Sequence, residues 1–244
     1  MNRGRNQSSA ASRPGPAAGG ASARERLLRH ATGIFAAKGF AAASTREICE
    51  AAGVNVASIH YYFGDKAGLY RETLLEPITE VIAACGAFDD PALPFEESMR
   101  RLLGPILDLA PGDQDAAFEA QVMRLHLREM LEPSGAFREV VEQTIAPAHR
   151  ALTGLLARHC GLAAPDDDVH QLAFAVVAMA RDYCLSREMM KLLAPGVLSR
   201  SRSGEQILER LVGYARALLD QEIARRGAAA IDQKRARSLT GAGP

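Results

Sequence analysis

The chain has 244 residues, 48% of them hydrophobic and 24% charged, the balance of a soluble globular protein with enough apolar material for a core. Lys plus Arg and Asp plus Glu both total 29, so global charge offers no basic footprint and any nucleic-acid signal must be local. No apolar run reaches the ~18 residues of a membrane span, and the scattered Cys49, Cys85, Cys160 and Cys184 form no C-x-x-C pair and read as reduced thiols of a cytoplasmic protein.

Residues 1–21 are rich in Ser, Ala, Gly and Pro and read as a disordered tail, without the apolar stretch of a signal peptide. Its charges are Arg3, Arg5 and Arg13, so a basic arm lying along DNA is the alternative. A first helix is expected from Ser22 to about Lys38, with Leu27, Ala31, Ile34 and Phe35 on one face and Gly39 as its stop. A second follows from Thr45 to Ala52, with Ser44 as N-cap. Gly53-Val54-Asn55 breaks the chain, and Asn55 can cap a third helix, Val56–Phe63. After Gly64, Asp65 can cap a longer helix towards Cys85.

Further helices are expected over 94–109, 114–131, 134–160, 166–193 and 204–226, with Pro105 and Pro147 kinking or interrupting two of them. Nothing alternates with the two-residue period of a strand. The last two helices carry wide apolar faces, including Leu172, Phe174, Val176, Leu211, Tyr214 and Leu219. Such faces exceed what one surface helix must bury and suit a dimer interface, with burial inside one subunit as the alternative. From about Gly227 the chain again has the look of a tail. The expected fold is all-α. It comprises an N-terminal three-helix helix-turn-helix domain at 22–68 and a C-terminal helical ligand-binding and dimerisation domain at 69–227. Tails flank them at 1–21 and 228–244.

The segment from Ser44 to Lys66, STREICEAAGVNVASIHYYFGDK, joins two short helices by a three-residue turn containing Gly. That is the helix-turn-helix pattern, whose second helix enters the major groove. At 100° per residue, Val56, Ile59 and Phe63 share a face that can pack on Ile48, Ala52, Ile34 and Phe35. Ala57, Ser58 and Tyr61 then face outward, flanked by His60 and Tyr62. Small residues let a backbone approach base edges, and phenols bond phosphate oxygens. From Ser22 to Tyr70 six basic residues stand against four acidic ones, so the modestly basic end of this neutral chain is the helix-turn-helix end.

Gly39-Phe40, Ser44-Thr45-Arg46-Glu47-Ile48, Ala52-Gly53-Val54-Asn55, Ile59-His60-Tyr61-Tyr62-Phe63 and Lys66 resemble the TetR family of transcription regulators. The run AGVNVASIHYYFGDK, with Leu69-Tyr70 after it, is similar to that family's CecR (YbiH-like) branch, as are Leu127-Arg128-Glu129 and Pro133-Ser134. The resemblance implies that Arg46 reaches a base or phosphate. It places Thr45, Tyr61 and Lys66 at phosphate-contact positions, and Val56, Ala57 and His60 opposite base edges. The family usually has Tyr where His60 stands and often His where Tyr62 stands. The DNA-contact set is therefore Ser44, Thr45, Arg46, Asn55, Val56, Ala57, Ser58, His60, Tyr61, Tyr62 and Lys66.

The resemblance also implies an apolar ligand site within the C-terminal helices. Its candidates are Phe118, Met123, His126, Phe137, Tyr183 and Cys184, each of which can equally be ordinary core. The histidines lack the spacing of a zinc site, and Asp166-Asp167-Asp168 reads as a helix N-cap cluster. No nucleophile elbow, P-loop or dinucleotide-binding glycine pattern occurs, so no enzyme activity, cofactor or metal is expected. The partners expected are an operator in double-stranded DNA, a second copy of the chain and a small-molecule effector, with no membrane. The implied function is a repressor released by its ligand. The alternative is an activator, or a helical interaction protein on the same fold, answering to a protein partner.

Overall fold

A computed structural model describes residues 21–108, 116–198 and 204–240, and among them every regular element is helical. The tail read at 1–21, with its three arginines, lies almost wholly outside the described residues. Helix α1 spans Ala23–Ala42. It starts on a capping box, in which the Ser22 hydroxyl accepts the Glu25 amide and the Glu25 carboxylate accepts the Ser22 amide. Gly39, at φ 76° and ψ 171°, breaks helical geometry where the sequence places the stop.

Then follow α2 (Thr45–Ala52), α3 (Ala57–Phe63) and α4 (Lys66–Cys85). Asp65 caps α4 as expected, accepting the Gly68 amide at 2.7 Å. The body contains α5 (Phe95–Asp108), α6 (Ala116–Leu131), α7 (Gly135–Val140), α8 (Ala146–His159), α9 (Asp167–Leu185), α10 (Arg187–Leu193) and α11 (Gly204–Thr240).

Differences from the sequence reading have local causes. The helix over 134–160 is interrupted at Pro147 as expected, but the interruption takes the form of a π-helical stretch, Val141–Ile145, ending at the first turn of α8, where Pro147 lacks an amide hydrogen. Pro105 interrupts nothing, and α5 runs through it. The helix expected over 166–193 ends at Leu185. There the Ser186 hydroxyl bonds the Asp182 carboxylate at 2.7 Å and the backbone leaves helical geometry before α10. Helix α11 passes Gly227 and reaches Thr240, where the sequence suggests a tail. A lone glycine costs a helix only about 1 kcal/mol, and an alanine run follows it.

Two hydrophobic cores hold the chain. The first joins Leu27, Ala31 and Phe35 of α1 to Ile48 of α2, Ile59 of α3 and Leu69 and Leu74 of α4. It also takes in Leu125 of α6 and Val140 of α7, so α6 and α7 pack directly on the unit formed by α1–α3 and the start of α4, the head of the molecule. The second joins α5, α8, α9 and α11 through Met99, Leu103, Leu152, Leu156, Val176 and Leu211. Helix α4 is the rod between the two, with Tyr70 in the first core and Cys85 in the second.

Leu172, Val176, Leu211, Val212, Ala215 and Leu219 are buried in the chain's own core, as in the single-subunit alternative. Phe174 and Tyr214 remain 66% and 47% exposed. Asp166 is the N-cap of α9. It accepts the Val169 amide at 3.1 Å and a two-pronged contact from Arg226 of α11 at 2.7 and 2.8 Å. Hydrogen bonding from Arg226, then from Val169, holds its carboxyl down at about 2. Among the described residues no helix is long and apolar enough to cross a membrane.

Candidate nucleic-acid interface

The reading head depends on two tight backbone joints. Gly53 ends α2 in the left-handed region, at φ 64° and ψ 40°, and the Asn55 side chain then accepts the Ala57 amide at 3.0 Å. Asn55 thus caps α3 as expected, with Val56 as the residue just before the helix. Gly68 brings α4 against the end of α3, where a Cβ would sit 2.0 Å from the Phe63 carbonyl oxygen. The sequence reading assigned no role to Gly68, because the approach is visible only once both helices are placed.

Ile59 is 1% exposed and Phe63 is buried beside it, so the predicted inner face of α3 faces the head's core. Burial of each such side chain contributes roughly 1.5–3 kcal/mol. Val56 departs from the expectation: at the very start of α3 it is 41% exposed rather than buried on the inner face. Tyr61 is 81% exposed and its ring meets Tyr62 edge-on at 4.8 Å. Ala57, His60 and Tyr62 are also exposed, and Ser58 is half-buried. His60 Nδ1 lies 2.7 Å from the Gly64 carbonyl oxygen. A carbonyl can only accept, so Nδ1 donates, which turns the Nε2 edge of the ring outward for a polar group on a base edge.

The cations of the head are mostly engaged. Arg46 pairs with Glu50 across one turn of α2 at 2.9 Å, and Lys38 pairs with Glu47 at 2.6 Å. Arg24 pairs with Glu72 and Glu76 of α4 at 3.3 and 2.8 Å, and Arg26 donates to the Ala52 carbonyl at 3.0 Å. Lys66 lies over the Phe40 ring, 4.6 Å from its centre, with the Ala41 carbonyl 3.5 Å away. Ser44 stands at the N-cap of α2, yet its hydroxyl makes no cap bond, contrary to the sequence reading, and the side chain is exposed. Thr45, next to it, is half-buried. All eleven expected contact residues thus lie on α2 or its N-cap, on α3, in the turn between them or at the start of α4, and only Ser58, Thr45 and Lys66 are partly withdrawn from solvent.

The model of bacterial regulatory proteins of the tetR family matches residues 27–73, and that of the C-terminal domain of the HTH-type transcriptional dual regulator CecR matches residues 95–220. The chain belongs to the TetR family of transcriptional regulators, in its CecR branch. CecR of Shigella flexneri is 29% identical over 184 residues, which is 71% of this chain and 80% of that protein. A putative transcriptional regulator from Pseudomonas aeruginosa PAO1 has the same fold at a TM-score of 0.57 and 20% identity, covering 82% of this chain and 90% of that one. A TetR-like transcriptional regulator from Rhodococcus sp. RHA1 matches at 0.55 and 18%, covering 83% and 96%.

The ligand candidates of this TetR-family regulator fall in separate places. Phe118 of α6 lies under the Arg29 guanidinium of α1 at 4.6 Å. His126 spans two backbone carbonyls, Val122 at 2.9 Å and Leu74 at 3.1 Å, and so fastens α6 to α4. Met123 is half-buried on the same helix, and Phe137 packs on the first core. Cys184 donates to the Ile106 carbonyl at 3.1 Å, and burial raises its thiol. Tyr183 lines an open groove of about 560 Å³ with Val197, Glu205, Gln206, Ile207, Glu209 and Arg210. One shared pocket does not gather all six. Among the described residues no three His, Cys, Asp or Glu side chains gather as metal ligands.

Proposed function

We propose that the chain works as a cytoplasmic homodimer that represses transcription from a near-palindromic operator and lets go when a small molecule binds its helical body. In this reading residues 22–68 read DNA, and residues 69–227 sense the ligand and dimerise. The observation that carries the proposal is the exposed face of α3. A solvated helix has no need of Tyr61 and Tyr62 side by side at its surface. Aromatic hydroxyls and small residues there suit phosphates and base edges. Arg46 and Lys66 flank that face, and Arg46 contacts DNA by exchanging Glu50 for a phosphate or base. An exposed pair of that kind is worth at most about 1 kcal/mol, so the exchange is favourable.

Phe174 and Tyr214, exposed on α9 and α11, support a second copy seated on those helices. Two α3 helices then enter successive major grooves about 34–36 Å apart. Tyr183, beside its groove, and helix α6, which carries Phe118, Met123 and His126, are the two places from which an effector would act. A ligand shifts the head only by binding the released state more tightly. The Shigella relative is described as a dual regulator, which favours activation at some sites as a second reading.

The test is selection of genomic DNA fragments by the purified protein, followed by mobility shifts across a salt series. Salt-sensitive binding to particular fragments is expected. No shift with any genomic fragment at low salt rules out the regulator reading.

A further inference from the structure

Glu129 is a carboxylate in a place built for an apolar side chain. It is 3% exposed on α6, next to the core residue Leu125 one turn earlier. Burying a carboxylate is unfavourable unless both oxygens are satisfied. Here Oε1 accepts the hydroxyl of Tyr70, 59 residues earlier on α4, and Oε2 accepts the Ser134 amide at 2.9 Å. Ser134 is itself the N-cap of α7, its hydroxyl accepting the Phe137 amide at 3.2 Å. One carboxylate therefore ties together α4, α6 and the start of α7. Burial, then the hydrogen bond to Glu129 and its charge, raise the Tyr70 phenol, which keeps it a neutral donor.

The tie continues into the head. The Tyr70 ring meets Phe35 edge-on at 4.8 Å and leans on Phe40 at 5.0 Å. Phe40 is the ring that carries the Lys66 ammonium. Beside Glu129, the Arg128 guanidinium covers Gly39, where a Cβ would lie 2.8 Å from its central carbon. Adjacent residues of α6 thus grip the head at two points, the break in α1 and the first turns of α4. Hydrophobic burial is non-directional, whereas a buried hydrogen bond fixes both distance and direction.

We propose that Glu129 is a positioning residue for DNA binding. From the body it holds Tyr70, and through Phe40 and Lys66 it fixes how the head is presented. The proposal rests on the DNA-binding reading above. Movement of α6, or of the 132–134 junction, displaces Glu129 and releases Tyr70, so the clamp is where a change in the body reaches the head.

The experiment measures operator affinity, salt slope and melting temperature for the full chain and its Glu129→Gln, Tyr70→Phe and double variants. The operator is the DNA selected by the wild-type protein. Ser134→Ala is the control: it removes the α7 cap hydroxyl but keeps the amide that Glu129 accepts. Glu129→Gln and Tyr70→Phe should each weaken binding about tenfold, the scale of one hydrogen bond to a charged group. Their salt slopes should flatten, and the double variant should bind no worse than the weaker single one. Ser134→Ala should melt earlier yet keep wild-type affinity. Affinities that follow melting temperature across all the variants would show packing alone and overturn the proposal. In the wild type, DNA binding should slow hydrogen exchange at the Ser134 amide, since coupling is reciprocal. An unchanged rate there overturns the clamp even if the variants do not fold. Wild-type protein that binds no DNA overturns both readings. Wild-type binding with unaltered variants overturns this one alone.

Discussion

Arg46→Ala separates binding from stability. Among the described residues Arg46 pairs with Glu50 at 2.9 Å, and both side chains are largely exposed. An exposed pair one turn apart contributes about 0.3–0.5 kcal/mol, so its loss should lower the melting temperature by no more than about 1–2 °C in a chain of this size. On DNA, under the proposed function, the same guanidinium should make a charge-assisted contact worth roughly 1–3 kcal/mol, which is about 5- to 150-fold in affinity. If the contact is to phosphate, the salt slope also falls by about 1. Glu50→Ala is the informative companion. It frees Arg46 and removes a negative charge from the DNA-facing side, so it should tighten binding. Fluorescence anisotropy on a selected operator, from about 50 to 200 mM salt, reads both quantities. Wild-type affinity for Arg46→Ala, or a large melting loss with no binding loss, would refute the assignment.

Lys66→Ala should weaken binding to all DNA sequences by similar factors and lower the salt slope by about 1, as for a phosphate contact. Intact affinity and slope would remove Lys66 from the interface. Gly68→Ala places a Cβ 2.0 Å from the Phe63 carbonyl and should force α3 and α4 apart, with a clear drop in melting temperature by circular dichroism. Acid should destabilise the protein through His149, whose Nε2 lies 2.9 Å from Nδ1 of His170. Burial, then the nearby His170, lower its affinity for a proton below the ordinary value of 6.5. The unfolded chain therefore binds the proton more readily. The stability this histidine contributes is complete above pH 6.5 and is lost as pH falls below it, towards the lowered folded value. His159 is lowered in the same direction. His149→Gln should flatten the loss in urea unfolding between pH 7 and 5, and an unchanged profile would contradict the shift.

Local signals made the head legible. Gly39, Gly53, Asn55 and Asp65 are caps and breaks whose chemistry acts over three or four residues, and the structure uses each of them as a cap or break, whereas the Ser22–Glu25 capping box is seen only in the structure. Ser44 occupies its cap position without the expected bond, and Val56 lies outside the face that periodicity assigned it. The body was legible only as a series of helices. Pro147 marked the interruption in its helix, whereas the break at Ser186 depends on a small backbone departure that a 100° wheel does not register. Side-chain type marks ligand candidates on central helices but does not reveal which helices face each other: Phe118 meets α1, whereas Cys184 meets α5. Tyr70 and Glu129 stand 59 residues apart and belong to no common motif spacing, so their bond emerges only from the packing of α4 on α6.

The most direct measurement of the central claim is photocrosslinking to a selected operator substituted with bromouracil, followed by trypsin and mass spectrometry. Cleavage after Arg46 and Lys66 releases Glu47–Lys66, which contains all of α3 and nearly all of α2. The DNA adduct should fall on this peptide, at His60, Tyr61 or Tyr62. Adducts confined to peptides beyond Lys66 would contradict the assignment of the DNA-reading face.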